Sequence, residues 1–178
     1  MSAPIQATYD LVVLGGGPGG YVAAIRAAQL GLTAAIVERG ELGGICLNWG
    51  CIPSKALLRN AEVLSLFRRA GEFGISADNV TADYGAALDR AINKVVATQL
   101  RGLQYLMRKH KIDVVRGTGR LVAGDRVAVE GGDGGHRELA TRNVVVASGS
   151  RVRPLPGVEL DGRRIISARE VWGLPDLP

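Results

Sequence analysis

The apolar positions fall first into a short continuous run, Tyr9 to Leu14 (YDLVVL), closed by glycines and too short for a helix. This predicts a buried strand. GGGPGG follows. From Tyr21 to Leu30, Val22 and Ile25 stand among the small residues Ala23, Ala24, Ala27 and Ala28, a pattern suited to a helix packed closely on a sheet. Gly31 is a natural C-terminal stop for it. Ala34 to Val37 reads as a second strand. Strand, glycine turn, helix and strand within about thirty residues make a βαβ unit, whose crossover is expected to be right-handed.

A loop through Gly43 and Gly44 then leads to a predicted helix from about Cys51 to Ala70. Asp83 to Lys109 predicts a longer one, with Ile92, Val95, Val96, Gln99, Leu103 and Leu106 at three-and-four spacing. Gly102 lies inside it and costs about 1 kcal/mol relative to Ala, which makes it the weak point of continuity. After residue 111 the pattern changes. Ile112–Arg116, Arg120–Val122, Val127–Val129 and Val144–Ala147 are short β-like runs separated by GTG, GD and GGDGGH, all turn chemistry. They predict a small antiparallel excursion returning to a last strand. The fold class read from this order is α/β, with a parallel sheet in residues 1–150. The proline-rich stretch 151–178 has the composition of a linker.

Composition narrows the class without naming a function. The chain has 178 residues, nearly half of them apolar, enough for one domain with a real core. No apolar run is long enough to span a bilayer, and MSAPIQATYD lacks a basic-then-apolar leader, so a cytoplasmic setting follows as the default. The net charge of +5 is spread along the chain. Its densest patch, MRKHKIDVVRGTGR, has no interleaved aromatics and reads as a solvated helix end, so no nucleic-acid partner is expected.

Gly15, Gly17 and Gly20 fit G-x-G-x-x-G between a strand and a helix. The first glycine allows a tight turn, the second lets a pyrophosphate approach the backbone, and the third brings helix and strand together. Free N–H groups at the helix start then face the anion. Glu38 closes the next strand about twenty residues on, where such units hold a ribose hydroxyl pair. A solvated strand-end carboxylate is the plainer reading of Glu38. The combination points to an adenine dinucleotide, either NAD or FAD, and the acid argues against NADP.

Both cysteines of the chain, Cys46 and Cys51, lie in LGGICLNWGCIPSKALL. On one regular helix their Cα atoms would be roughly 8–9 Å apart, whereas a disulfide needs about 4.4–6.8 Å. A bridge therefore requires Cys46 on the loop or a distorted first turn, with Cys51 at the helix start. There the dipole and free N–H groups would stabilise a Cys51 thiolate. Lys55, four residues on, shares that face as an exposed lysine or a counter-charge. Two buried small hydrophobes remain an alternative. Zinc is poorly supported, because two cysteines and two histidines do not fall in ligand spacing, and no metal is expected.

GGICLNWGCIPSK together with YDLVVLGGGPGGYVAAIRAAQLG closely resembles the start of the flavin-dependent pyridine-nucleotide disulfide oxidoreductases. The form CLNWGCIPSKALL is most similar to family members that oxidise dihydrolipoamide. The resemblance extends through VVRGTGRL to VVVASGSRVRPLPG, where Ser148 stands in place of the family's threonine. It implies a Rossmann-like FAD-binding domain with FAD held tightly but non-covalently. Gly15, Gly17 and Gly20 would hold its pyrophosphate and Glu38 the ribose. Gly43, Gly44 and Cys46 would lie along it, Lys55 near the flavin, Gly119 at the adenine end, and Ala147, Ser148 and Gly149 on its return path. Cys46 and Cys51 would form the redox disulfide, with Cys46 exchanging with substrate and Cys51 facing the flavin.

The resemblance further implies NAD as co-substrate, a partner in the lipoyl domain of a 2-oxoacid dehydrogenase complex, and a homodimer. It also implies a second dinucleotide fingerprint and a thiol-activating His–Glu pair, neither of which occurs in these residues. The chain thus reads as the N-terminal portion of a longer enzyme, incomplete relative to the family and expected not to turn over NAD⁺ alone. Two competing readings are a related FAD-dependent disulfide or mercuric reductase and a stand-alone dinucleotide-binding thiol sensor.

Overall fold

The structure is a computed structural model that describes residues 5–132, 134–174 and 176–177. The chain divides into two compact units, residues 1–46 with 100–151 and residues 47–99 with 152–178.

The first unit is built on a six-stranded sheet. Its elements are β1 (Ile5–Leu14), α1 (Pro18–Gln29), β2 (Ala34–Glu38), β3 (Asp113–Arg116), β4 (Thr118–Ala123), β5 (Arg126–Glu130) and β6 (His136–Val146). The order is β3-β2-β1-β6-β5-β4. The strands from β3 to β6 run parallel, and β6-β5-β4 is antiparallel. This is the mixed α/β sheet that the hydrophobic pattern predicts.

The strands β1 and β2 read as unbroken apolar runs because both faces of the parallel sheet are covered. Val12, Val13, Ala35 and Ile36 have no exposed surface. On one face Val12, Ala35 and Val37 join Val127, Val129 and Leu139 of the antiparallel strands in a single cluster. On the other, α1 comes so close that a Cβ on Gly20 would lie 3.2 Å from Val13 Cγ1. Each fully buried valine or isoleucine contributes about 1.5–3 kcal/mol. Pro18 opens α1, where its missing N–H is no loss. Gly31, at φ +86°, ends it, as its position predicts.

The strand β6 is longer than its sequence pattern predicts. Only Val144–Ala147 reads as a strand, yet pairing begins at His136. The polar half, HRELATRN, is held by neighbours on both sides. Leu139 pairs with Val127 of β5, and Thr141 with Tyr9 of β1. Leu139 and Thr141 are buried, and buried Glu138 is joined by Arg126 at 3.1 Å. Across β2, the Tyr9 hydroxyl donates to Asp113 Oδ2 at 2.7 Å. Burial, this hydrogen bond and the Asp113 charge push the Tyr9 phenol up to about 12.

The second unit is mainly helical. The short helix α2 (Gly44–Trp49) crosses into it and is followed by α3 (Cys51–Arg68) and a 3₁₀ turn at Ala70–Phe73. Next come α4 (Tyr84–Asp89) and a π-helical stretch Arg90–Val96, after which α5 (Ala97–Lys109) returns the chain to the first unit. Asp83 caps α4 by accepting from the Ala86 N–H at 2.9 Å. The predicted 83–109 helix is irregular at the π stretch and not at Gly102, which is exposed with nothing within 4 Å. The wider i→i+5 turn lets Ala91 and Val96, five residues apart, both be buried.

Candidate functional site

The turn from β1 to α1 is fixed by backbone contacts that leave no room for side chains. Gly15 has φ +111°, and a Cβ there would lie 2.2 Å from the Ala147 carbonyl oxygen. A Cβ on Gly20 would lie 1.8 Å from the Gly15 carbonyl oxygen. Both glycines are therefore required by the protein's own packing. Gly17 differs. Its backbone is ordinary (φ −74°, ψ −175°), and the nearest atom to an added Cβ is 3.8 Å away. Nothing in the chain demands glycine there, whereas a ligand drawn against the backbone would.

Glu38 ends β2 and turns its carboxylate onto this turn. Oε2 accepts from the Gly16 N–H at 2.6 Å and Oε1 from the Gly40 N–H at 2.7 Å. The plainer reading of a merely solvated acid is therefore replaced: Glu38 ties the glycine turn to the loop that follows. Each oxygen keeps a second lone pair for a hydroxyl. Gly43 donates to the Gly16 carbonyl at 2.8 Å. Gly44, at φ +60°, meets Gly17 so closely that a Cβ would lie 2.7 Å from the Gly17 Cα.

The carboxyl end of β6 completes the ring. The Ala147 N–H donates to the Leu14 carbonyl at 2.8 Å, which sets Ala147 beside Gly15 and Gly19. Ser148 and Gly149 follow and are exposed. Gly119 sits over the ends of β1 and β2, where a Cβ would lie 2.6 Å from Leu14 Cδ2 and 3.0 Å from Val37 Cγ1. Its lack of a side chain is thus accounted for by packing. The structure gathers Gly15, Gly17, Gly20, Glu38, Gly43, Gly44, Gly119 and Ala147 at the carboxyl ends of parallel strands, where open α/β sheets bind nucleotides.

Cys46 and Cys51 are both disulfide-bonded, and no cysteine is free. Cys46 does not lie on a loop or a distorted first turn of α3. It lies on α2, a separate helix of six residues, and Gly50 (φ −129°, ψ −111°) breaks the chain before α3. A single helix would hold the sulfurs too far apart, and two helices meeting at Gly50 remove that obstacle. Cys51 is the first residue of the 18-residue α3 and is exposed, while Cys46 is half-buried. Lys55 is exposed one turn further along α3.

Side chains outside the sequence reading hold this loop. Ser54 donates through Oγ to the Gly50 carbonyl at 2.7 Å. The Trp172 Nε1–H donates to the Trp49 carbonyl at 2.6 Å, and the Arg169 guanidinium lies 5.7 Å from the Trp49 ring centroid. One signal was available for the Trp172 contact. Pro53, four residues after Trp49, has no N–H to offer that carbonyl.

The second unit also contains a groove of about 920 Å³, lined by Leu57, Leu64, Phe67, Tyr84 and Ala87 among others. No residue of the glycine turn lines it. Among the described residues no group of three or more His, Cys, Asp or Glu could hold a metal ion, and no helix is long and apolar enough to cross a membrane.

A glycine turn at the carboxyl ends of parallel strands and a disulfide opening a helix are the two features that mark this chain. Residues 9–177 match the family described as pyridine nucleotide-disulphide oxidoreductase, and the chain belongs to that family of flavoprotein oxidoreductases. It is 45% identical over 174 residues to the dihydrolipoyl dehydrogenase of Chlorobaculum tepidum, covering 98% of this chain and 37% of that protein. The dihydrolipoyl dehydrogenase of Bacillus subtilis is 46% identical over 178 residues, covering 96% and 37%. The crystal structure of LpdA from Mycobacterium tuberculosis matches with a TM-score of 0.84 at 28% identity, covering 94% of this chain and 38% of that one. The chain thus spans little more than a third of the length of these relatives.

Proposed function

We propose that this chain carries the FAD site and the redox disulfide of a dihydrolipoyl dehydrogenase. The carrying observation is the oxidised Cys46–Cys51 pair with one sulfur at the first position of a helix. Gly17 supports the cofactor assignment, because an added Cβ would meet nothing closer than 3.8 Å and the chain's own packing gives no reason for glycine there. Gly15, Gly17, Gly20, Gly43 and Gly44 hold the pyrophosphate side of FAD in this reading, and Glu38 accepts from the ribose. Gly119, Ala147, Ser148 and Gly149 flank the same strand ends, and Lys55 supplies positive charge on the Cys51 helix.

A thiolate of dihydrolipoamide attacks Cys46 Sγ. An S–S bond forms to substrate, and Cys51 leaves as the thiolate that free N–H groups at the start of α3 stabilise. The second substrate thiol, as its thiolate, then attacks the substrate sulfur bound to Cys46. It closes lipoamide and frees Cys46, so that two electrons and two protons leave the substrate. Bound FAD supplies the chemistry that takes the electron pair from the dithiol and passes it to NAD⁺. NAD, the lipoyl domain of a 2-oxoacid dehydrogenase complex as partner, and a homodimer belong to this reading on the strength of the relatives.

The test is spectroscopic. The protein reconstituted with FAD is expected to be yellow and to show thiolate-to-flavin charge-transfer absorbance on two-electron reduction. Cys51→Ser is expected to abolish that absorbance while keeping the yellow colour. A protein that takes up no flavin, or a variant with an unchanged reduced spectrum, would overturn the assignment.

A further inference from the structure

We propose that Trp172 is a positioning residue for the cysteine loop, its hydrogen bond to the Trp49 carbonyl favouring the disulfide over the dithiol. The proposal rests on the reading of Cys46 and Cys51 as a redox pair. Trp49 lies between the two cysteines, at the last position of α2. In a continuous helix its carbonyl would accept from the residue four further on, but that residue is Pro53, which has no N–H. The carbonyl therefore needs an outside donor, and the Trp172 indole supplies one at 2.6 Å.

The segment that carries Trp172 is itself constructed. It lies on a 3₁₀ turn, Glu170–Gly173. The Ser167 N–H donates to Glu170 Oε2 at 2.7 Å, and Ser167 Oγ accepts from the Arg169 N–H at 3.3 Å. With the Ser167 hydroxyl also donating to Glu170 Oε2 at 2.5 Å, these bonds pin the start of the turn. Arg169, from the same turn, lies 5.7 Å from the Trp49 ring centroid, within cation–π reach. Both tryptophans of the chain thus meet in one contact spanning 123 positions.

Coupling to the sulfurs follows from linkage. Closing the Cys46–Cys51 bond ties the two ends of the Leu47–Gly50 loop and orders the Trp49 carbonyl before Trp172 meets it. Opening the bond frees the loop, so the same contact must then order it at an entropic cost. The contact is therefore tighter in the oxidised state, and by reciprocity it favours oxidation of the pair.

The test equilibrates the protein with defined ratios of reduced and oxidised dithiothreitol. In that exchange the reagent's two thiols become its cyclic disulfide, and two electrons and two protons pass to Cys46 and Cys51. Free thiols are trapped by alkylation and counted by mass. Trp172→Phe keeps the ring bulk and deletes the N–H, and it is expected to shift the equilibrium about fivefold toward the dithiol. Trp49→Phe keeps the accepting carbonyl, so adding Trp172→Phe to it is expected to give the same shift. An unchanged equilibrium with a lowered melting temperature would make Trp172 merely structural and overturn the proposal. Should Trp172→Phe not fold, Glu170→Gln loosens the turn that presents the indole. A shift of about twofold in the same direction supports the proposal, and none overturns it. A wild-type pair that no dithiol ratio reduces fails both this proposal and the redox reading. A pair that titrates alike with and without the indole fails this proposal alone.

Discussion

The glycine turn and the cysteine loop both open a helix, but they are held in opposite ways. At Gly15 and Gly20 the backbone packs against itself at distances that admit no Cβ. At Cys46–Cys51 the chain is shaped by side chains: a disulfide, the Ser54 hydroxyl on the Gly50 carbonyl, and the Trp172 indole on the Trp49 carbonyl. A position closed by backbone fails outright when a methyl is added. A side-chain-closed site loses its parts one at a time, so its properties can be graded by substitution.

The strongest test of that contrast is Gly20→Ala. Its Cβ would stand 1.8 Å from a carbonyl oxygen with no flexible atom to give way, so a loss above about 4 kcal/mol is expected. Urea unfolding checks it, and a variant of near wild-type stability would break the comparison. Cys51→Ser comes next. Removing the cross-link of the short loop is expected to cost about 2 kcal/mol under oxidising conditions and nothing in excess reductant.

Gly17→Ala sharpens the comparison inside the turn itself. With 3.8 Å of clearance it should fold within about 0.5 kcal/mol of wild type yet bind FAD at least about tenfold more weakly, as flavin titration would show. A variant that binds FAD normally would remove the ligand argument for Gly17. The smallest effect lies in the β-sheet. The folded-state pKa of Tyr9 is raised from 10.0 to about 12, so its contribution is complete below pH 10 and disappears as pH climbs toward 12. The phenol is partly solvated, which holds the contribution to about 1 kcal/mol or less. Tyr9→Phe should flatten the alkaline decline in stability between those values.

These differences also explain what could be read from the sequence. The β1 and β2 strands and α1 are legible because double-sided burial writes continuous apolar runs and small residues mark the close helix face. The first half of β6 is not legible: its polar residues are held by β5 and β1, partners remote in the chain. Gly102 drew attention as a weak point on propensity alone, yet an exposed glycine with no neighbours costs little geometry. The π stretch follows instead from where Ala91 and Val96 must be buried. In the cysteine loop, the spacing argument reached Cys51 at a helix start. It did not reach α2, because six residues are too few to show a period. Glu38 read as an acid for a ligand or for water, and its two backbone N–H partners had no sequence signature.

β6 serves two neighbours at once, and that has a mechanical consequence. Its early residues are ratcheted against an antiparallel hairpin, while its last ones ride along β1 and deliver the Ala147 carbonyl to Gly15. A one-residue slip anywhere in residues 137–146 would reach the glycine turn like a displaced gear tooth, whereas lengthening the loop between β5 and β6 would leave the meshing untouched.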